Sequence, residues 1–313
     1  MVRNVIRRDI VVIGASAGGV EALKQCVSAI PEGFPVSIFV TLHLLQDAPS
    51  YLPDLLTKAG ALPALHPRDG SAIEPGKIYV APPNRHLQVE HGHIHLGIGS
   101  RENRHRPSIN VLFRSAALAY GPRVIGVILT GSLDDGTTGL WEIKRRGGVA
   151  VVQDPAEALH EGMPQSALSN VAVDHVVGLH ELVPLLVRLT TEAEDLTMGQ
   201  DGSDQIVSTA TRLTCPECRG SLEEAGNGPV REFRCRVGHA YSLAALAGAH
   251  SETLERTLWA AAVALEEAAD ISRQVRLHEP AGPSAAPNGD EFEKRQMARR
   301  IRDMISNLDA PQG

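Results

Sequence analysis

Three short stretches of this 313-residue chain offer a nucleophile, a base and a carboxylate, each where a strand should end. The first is Val11-Val12-Ile13-Gly14-Ala15-Ser16-Ala17-Gly18-Gly19, an apolar run passing through small residues into a helical pattern. As Gly-x-Ser-x-Gly it is a nucleophile elbow, whose small neighbours permit a sharp turn that leaves the Ser16 hydroxyl exposed. The helix start that follows favours developing negative charge. As a dinucleotide fingerprint it fails, because Ser16 stands where the second glycine would let backbone approach a pyrophosphate. On spacing alone, a plain Gly/Ser turn or anion-binding loop competes with the nucleophile.

The next strand ends Phe39-Val40-Thr41-Leu42-His43, where a nucleotide-binding fold would need an acidic residue for the ribose. A nicotinamide oxidoreductase is therefore disfavoured at both Ser16 and His43. A histidine at this end of a parallel strand can act as general base and then as general acid. Any one of 13 histidines taken alone more often caps a buried strand. The third stretch is Thr130-Gly131-Ser132-Leu133-Asp134-Asp135-Gly136, again after an apolar run. A carboxylate there can accept a hydrogen bond from the histidine, fix its tautomer and stabilise the imidazolium. The glycines allow tight turns whose amides can form an oxyanion hole. Chemistry does not choose between Asp134 and Asp135, and both also read as capping or solvated turn residues.

A separate constellation, Cys215-Pro216-Glu217-Cys218 followed by Cys235-Arg236-Val237-Gly238-His239, has the spacing of a metal knuckle. Three thiolates and an imidazole complete a tetrahedral zinc shell, so Cys215, Cys218, Cys235 and His239 are the expected ligands of a structural zinc.

Positioning these groups falls to an α/β fold. Apolar, β-branched runs at residues 10–13, 36–41, 77–80, 124–129, 149–152 and 175–178 alternate with helical patterns such as 21–29, 108–120 and 139–146. That alternation predicts a doubly wound, mostly parallel sheet. Residues 90–95, folded about His91-Gly92, predict an added antiparallel hairpin. The domain reading is a catalytic domain at 1–194, a polar linker at 195–210, a zinc-ribbon-like module at 211–242 and a helical tail at 243–313. A stretch rich in Pro, Gly and Ala at 280–289 interrupts the tail. The linker predicts that the catalytic domain hydrolyses a small ester without the module.

Composition is that of an ordinary globular protein: 43% apolar, 21% charged and only 4% aromatic, so the core must be aliphatic. A net charge of -7 has the wrong sign for a general nucleic-acid binder. No apolar run reaches membrane-spanning length and no signal peptide is evident, so no membrane insertion is expected. Three clustered cysteines and a lone Cys26 suit a reducing, cytoplasmic setting better than a disulfide framework.

Taken together, residues 10–189 resemble the catalytic domain of the chemotaxis methylesterases called CheB. The resemblance rests on Gly-Ala-Ser-Ala-Gly-Gly, the strand-end His43, Val80-Ala81-Pro82 with His86, and Asn103-Arg104-His105-Arg106-Pro107-Ser108. It extends to Leu129-Thr130-Gly131 through Asp135-Gly136 and to Gly162-Met163-Pro164. It implies a catalytic triad of Ser16, His43 and Asp135, with a backbone amide near Ser132 in the oxyanion hole and no cofactor for catalysis. It further implies demethylation of glutamate methyl esters, and glutamine deamidation, on the signalling helices of a methylated chemoreceptor or related protein. A non-enzymatic receptor-binding adaptor is the alternative. Ala17 replaces a familiar threonine and Leu42 a familiar glutamine. The receiver domain that usually precedes such a catalytic domain is not expected, since about nine residues come before the first strand. Similar Cys-rich tails accompany some receiver-less relatives. Because receptor methylation helices should be acidic, Arg101, Arg104 and Arg106 are expected to steer them toward the cleft.

Overall fold

The computed structural model describes residues 7–43, 49–192, 208–225, 230–278 and 289–308. Most of the linker expected at 195–210, and all but the last residue of the interruption at 280–289, lie outside the described residues. Up to Leu246 these form one compact unit, and from Ala247 onward a second.

Fifteen elements build the first part of the chain in order: β1 (Ile10–Ala15), α1 (Gly19–Ser28), β2 (Ser37–Leu42), α2 (Leu52–Ala59), β3 (Ala64–Leu65), β4 (Lys77–Val80), β5 (His86–Glu90), β6 (His93–Gly97), α3 (Ile109–Tyr120), β7 (Val124–Ile128), α4 (Thr137–Arg145), β8 (Val149–Gln153), α5 (Gly162–Asn170), β9 (His175–Val177) and α6 (Leu179–Thr191). Seven strands form one parallel sheet in the order β3-β4-β2-β1-β7-β8-β9. All six residues of β1 and of β2 are buried, which explains their unbroken apolar character. Alternate side chains of β1 serve opposite layers. Val11 and Ile13 meet α1, α2 and α6 through Leu23, Leu56 and Leu186. Ile10 and Val12 join the layer of α3, α4 and the hairpin, through Phe113, Ile143 and Leu87.

The six expected strands are present, and the hairpin β5–β6 turns at His91-Gly92, with Gly92 at a φ of 77°. The two-residue β3 was too short to leave a periodic signal in the sequence.

Chain direction across the sheet reverses at β1, which is flanked by β2 on one side and β7 on the other. In open α/β sheets the crevice at such a switch, beyond the carboxyl ends of the strands, is where ligands bind. Register brings Ala15 beside Leu42 and Gly14 beside Ile128, so the loops leaving β1, β2 and β7 emerge together.

After the linker, β10 (Thr209–Thr214), β11 (Ser221–Ala225), β12 (Glu232–Cys235) and β13 (Ala240–Ser242) form a second, antiparallel sheet in chain order. Helices α7 (Leu243–His278) and α8 (Gly289–Leu308) follow. Ion pairs Glu266–Arg302 and Asp270–Arg295 run α8 antiparallel to α7, over a seam that buries Ala262, Ala269, Ala298 and Ile305.

The close approach of β1 to α3 depends on Gly14. A Cβ there would lie 2.3 Å from Cγ2 of Ile109, a branched side chain at the first residue of α3. Gly14→Ala is therefore expected to overpack this contact and cost about 1–3 kcal/mol, read as a lower urea midpoint at unchanged slope.

Candidate active site

Ser16 follows β1 directly, and the turn that exposes it is completed by Gly18 at a φ of 76°, the residue capping α1. The loop after β7 locks this turn: Ser16 N–H donates to Thr130 O at 3.0 Å and Thr130 Oγ1 donates to Ala17 O at 3.0 Å. Gln153, buried at the end of β8, accepts the Thr130 N–H at 2.8 Å. Gly131 has no room for a side chain, because a Cβ would lie 2.2 Å from Met163 Sδ and 2.9 Å from Ser16 Cβ. That contact brings the Ser132 segment beside the nucleophile. Among the described residues, the N–H groups of Ala17 and Ser132 have no hydrogen-bond partner in the fold, as oxyanion donors require.

His43, one residue past β2, joins the other two groups. Its Nδ1 lies 3.0 Å from Ser16 Oγ and its Nε2 lies 2.8 Å from Asp135 Oδ2. An ionised carboxylate only accepts, so Nε2 carries the proton and the Nδ1 lone pair faces the serine. The serine-facing nitrogen is thus Nδ1, where the serine-protease template uses Nε2.

Asp135 is the better buried of the two loop aspartates and the one that meets His43. It sits at the start of α3, where Ile109 N–H (2.7 Å), Ser108 Oγ (3.0 Å) and Asn110 N–H (3.4 Å) donate to it, and the Asn103 amide approaches at 3.4 Å. Burial alone would raise its pKa. The His43 hydrogen bond and charge, the charge of His105 and the Ile109 amide outweigh burial and hold the carboxyl well below the ordinary range. Asp134 instead accepts from Ser242 Oγ at 2.8 Å, and burial raises its pKa.

Support for these groups comes from residues whose roles the sequence did not disclose. His86 accepts the Ser108 N–H on Nδ1 at 3.3 Å and donates from Nε2 to Ser100 O at 3.0 Å. Asn110 Oδ1 accepts from the amides of Gly136 and Gly139, tying the Asp135 loop to α3. His105 stacks on His43 with ring centroids 3.5 Å apart and planes 5° off parallel. Burial, then the charge of His43, push the His105 pKa down to about 4. His105 stands in a tight turn whose central residues, Asn103 and Arg104, have φ of 48° and 70°. Asparagine tolerates this region, but a left-handed arginine costs about 1–2 kcal/mol, so Arg104 must be held by its surroundings.

The three arginines differ in what they contact. Arg106 spends its guanidinium on Asn84 Oδ1 (2.9 and 2.6 Å) and on the carbonyls of Ile98 and Gly99. Arg101 lies 3.7 Å from Glu217, and Arg104 occupies the strained turn.

The Cys/His cluster assembles as its spacing implies. One donor atom from each of Cys215, Cys218, Cys235 and His239 lies within 4.8 Å of every other. His239 Nδ1 is 3.6 Å from Cys215 Sγ and 3.5 Å from Cys235 Sγ, and the Cys218 and Cys235 sulfurs are 3.5 Å apart. Tetrahedral zinc sets such edges at roughly 3.5–3.8 Å. His239 Nε2 turns outward to Glu217 at 3.2 Å, the carboxylate partner that orients a metal-bound imidazole. All four cysteines of the chain are free thiols.

The family model described as CheB methylesterase matches residues 11–186, more than half of the chain. The chain belongs to the CheB methylesterase family. A relative from Leptospira interrogans is 40% identical over 182 residues, which cover 58% of this chain and 94% of that protein. Protein-glutamate methylesterase/protein-glutamine glutaminase 4 of Anaeromyxobacter dehalogenans is 38% identical over 189 residues. That match covers 59% of this chain but only 53% of the relative, so the chain spans about half the length of such CheB proteins. The catalytic domain of the Thermotoga maritima CheB methylesterase superposes with a TM-score of 0.56 at 30% identity, covering all of that domain and 59% of this chain. The CheB match ends before the Cys/His cluster.

His105 and Asp135 both make stability fall with acid. An unfolded His105 would titrate near 6.5 and the folded one near 4, so the unfolded chain binds more protons between those values. Stability from His105 is complete above about 6.5 and is lost as pH falls toward 4. Asp135, depressed below an unfolded value near 3.9, adds its loss at lower pH. Urea titrations of His105→Gln should show a flatter dependence between pH 6.5 and 4 than wild type, with the steep region below 4 retained.

Proposed function

We propose that this chain is a protein-glutamate methylesterase, and by the same acyl chemistry a protein-glutamine deamidase, acting on the signalling helices of a methylated chemoreceptor or related protein. The observation that carries the reading is the unbroken line from Ser16 Oγ through both ring nitrogens of His43 to buried Asp135. An adaptor that only bound receptors would have no use for that alignment.

Ser16 Oγ attacks the glutamyl side-chain carbonyl while His43 Nδ1 takes its proton. Asp135 holds the ring and stabilises the imidazolium, and the Ala17 and Ser132 amides receive the oxyanion. Collapse passes the proton from Nδ1 to the leaving methoxide, or to the leaving amine of a glutamine, releasing methanol or ammonia. Water, deprotonated by His43, then hydrolyses the glutamyl ester and restores Ser16. Every proton and electron pair is carried by these side chains and water. Arg104 and Arg101 remain the docking residues of this reading, whereas Arg106 holds its own loop together. No helix among the described residues is long and apolar enough to cross a membrane. Free thiols fit a cytoplasmic site of action.

The Cys215, Cys218, Cys235 and His239 cluster is, on this reading, a structural zinc site. Such a metal would supply cross-linking to a module whose sheet has a small core of its own.

Methanol release from methylated receptor fragments tests the enzymatic reading. Ser16→Ala and His43→Ala should abolish it, Asp135→Asn should lower kcat by about 10⁴, and Asp134→Asn should be clearly milder. Release by Ser16→Ala at the wild-type rate would defeat the mechanism. For the metal, analysis of purified chain should give about one zinc, released on acidification as the ligands protonate. Metal-free preparations as stable as a Cys215→Ser variant would sink that part.

A further inference from the structure

The Cys/His module does not simply follow the catalytic residues in the chain; its last strand is joined to the turn that supports the triad. Asn103 N–H donates to Ala240 O at 2.7 Å, and Ala240 N–H donates to Arg101 O at 3.2 Å. Glu102 thereby forms a parallel bridge with Ala240. Two residues on, Ser242 N–H donates to Asn103 Oδ1 at 2.8 Å, and Ser242 Oγ donates to Asp134 beside the catalytic carboxylate. Away from the turn, Ser100 Oγ donates to Val237 O at 2.7 Å, and half-buried Arg114 of α3 pairs with both Glu102 and Glu232 of β12.

Asn103 stands at the centre of these contacts. Its backbone and amide oxygen are held by β13, while its amide nitrogen approaches Asp135 Oδ1. The same turn, closed by reciprocal bonds between Glu102 and His105, stacks His105 on His43. Two consecutive left-handed residues give the turn little intrinsic stability, so what grips it from outside decides its shape. The start of β13 is fixed in turn by the metal-ligand loop, since Cys235 N–H donates to His239 O and Gly238 N–H to Cys235 O.

We propose that the Cys/His module is a working part of the esterase site: β13 clamps the turn Glu102–His105, with Asn103 and Ser242 as positioning residues that set Asp135 and His105 against His43. This rests on the triad assignment above. It reverses the expectation that hydrolysis of a small ester is indifferent to the module. It also makes the state of the thiol cluster a determinant of turnover, although the cluster touches no reacting atom.

The test uses the purified full chain and p-nitrophenyl acetate, a small ester that bypasses receptor recognition. Asn103→Gly keeps a residue suited to positive φ and removes the amide that joins Ser242 to Asp135, whereas Cys218→Ser opens the cluster. Each should lower kcat on the order of tenfold or more with KM within about twofold, as expected when reacting groups are misaligned rather than substrate lost. Because both act through one turn, the double variant should be no slower than the slower single variant. The downfield proton resonance of His43 Nε2–H should shift in both single variants. Arg231→Gln, in an exposed pair of the same module, should leave kcat and that resonance unchanged.

Losses that multiply in the double variant would overturn the clamp. So would Cys218→Ser at wild-type kcat with an unaltered resonance. Should Cys218→Ser fail to fold, Ser242→Ala at an unchanged melting temperature decides, because it removes a β13 contact to the Asp134 loop and leaves Asn103 and Asp135 themselves intact: a lower kcat with a shifted resonance supports the clamp, and a wild-type kcat refutes it. A chain that shows the coupled losses on p-nitrophenyl acetate, yet releases no methanol from methylated receptor, would sink the methylesterase reading and leave the clamp standing.

Discussion

A carboxylate with 2% of its residue surface exposed must recover from the protein the hydrogen bonds that water would give it, and meeting that demand for Asp135 organises the catalytic half of the chain. An unpaired buried charge costs several kcal/mol, so donors are gathered from separate parts of the fold. The start of α3 supplies two amides and the Ser108 hydroxyl, and the end of β2 supplies His43. The helix terminus adds the favourable end of its dipole. Other features serve this arrangement. His86 holds the Ser108 amide, Asn110 fastens the Asp135 loop to α3, and Gly14 lets β1 approach the same helix.

The same constraint sets the state of the base. Because Asp135 accepts from Nε2, the proton of neutral His43 is committed there, and the Nδ1 lone pair is left facing Ser16. His105, stacked on that ring, is held uncharged at neutral pH by burial and by His43 itself. On the proposed mechanism, a second cation in that position would oppose the imidazolium that forms when the serine is deprotonated. The stack therefore confines the ring to one orientation without adding charge where charge must develop.

These relations explain what could be read from residues alone. Buried parallel strands need continuous β-branched runs, so β1, β2, β4, β7 and β8 were legible, and with them the placement of Ser16 and His43 at neighbouring strand ends. Cysteine spacing carried the Cys/His cluster, because each half of it is local in sequence. The choice between Asp134 and Asp135 was not legible from chemistry, since it depends on which one faces α3. Asn103 and His105 entered only as part of the family resemblance, and their roles, like those of Ser242 and Glu217, were not legible: Ser242, for one, meets Asn103 across 139 residues of chain. The arginines show the reverse case. Three like charges within six residues suggest a patch, whereas the Arg106 guanidinium is engaged by the carbonyls of its own loop.

The junction between β13 and the turn at Glu102 also solves two problems that neither side solves alone. A four-stranded antiparallel sheet ends in an edge with unpaired amides and carbonyls, a surface that proteins ordinarily cover or blunt. The turn beside His43, for its part, holds Arg104 in a left-handed conformation that an arginine does not favour. Ala240 fills both needs, accepting from Asn103 and donating to Arg101, so the edge is paired and the turn is held by the same two hydrogen bonds. Ser242 extends the pairing by one side chain, reaching Asn103 with its amide and Asp134 with its hydroxyl. A module with so little core of its own gains an anchor, and the strained turn gains a template. Shared bonds of this kind cannot be broken on one side only, so the proposed clamp would carry a change at the thiol cluster to the residues that surround His43.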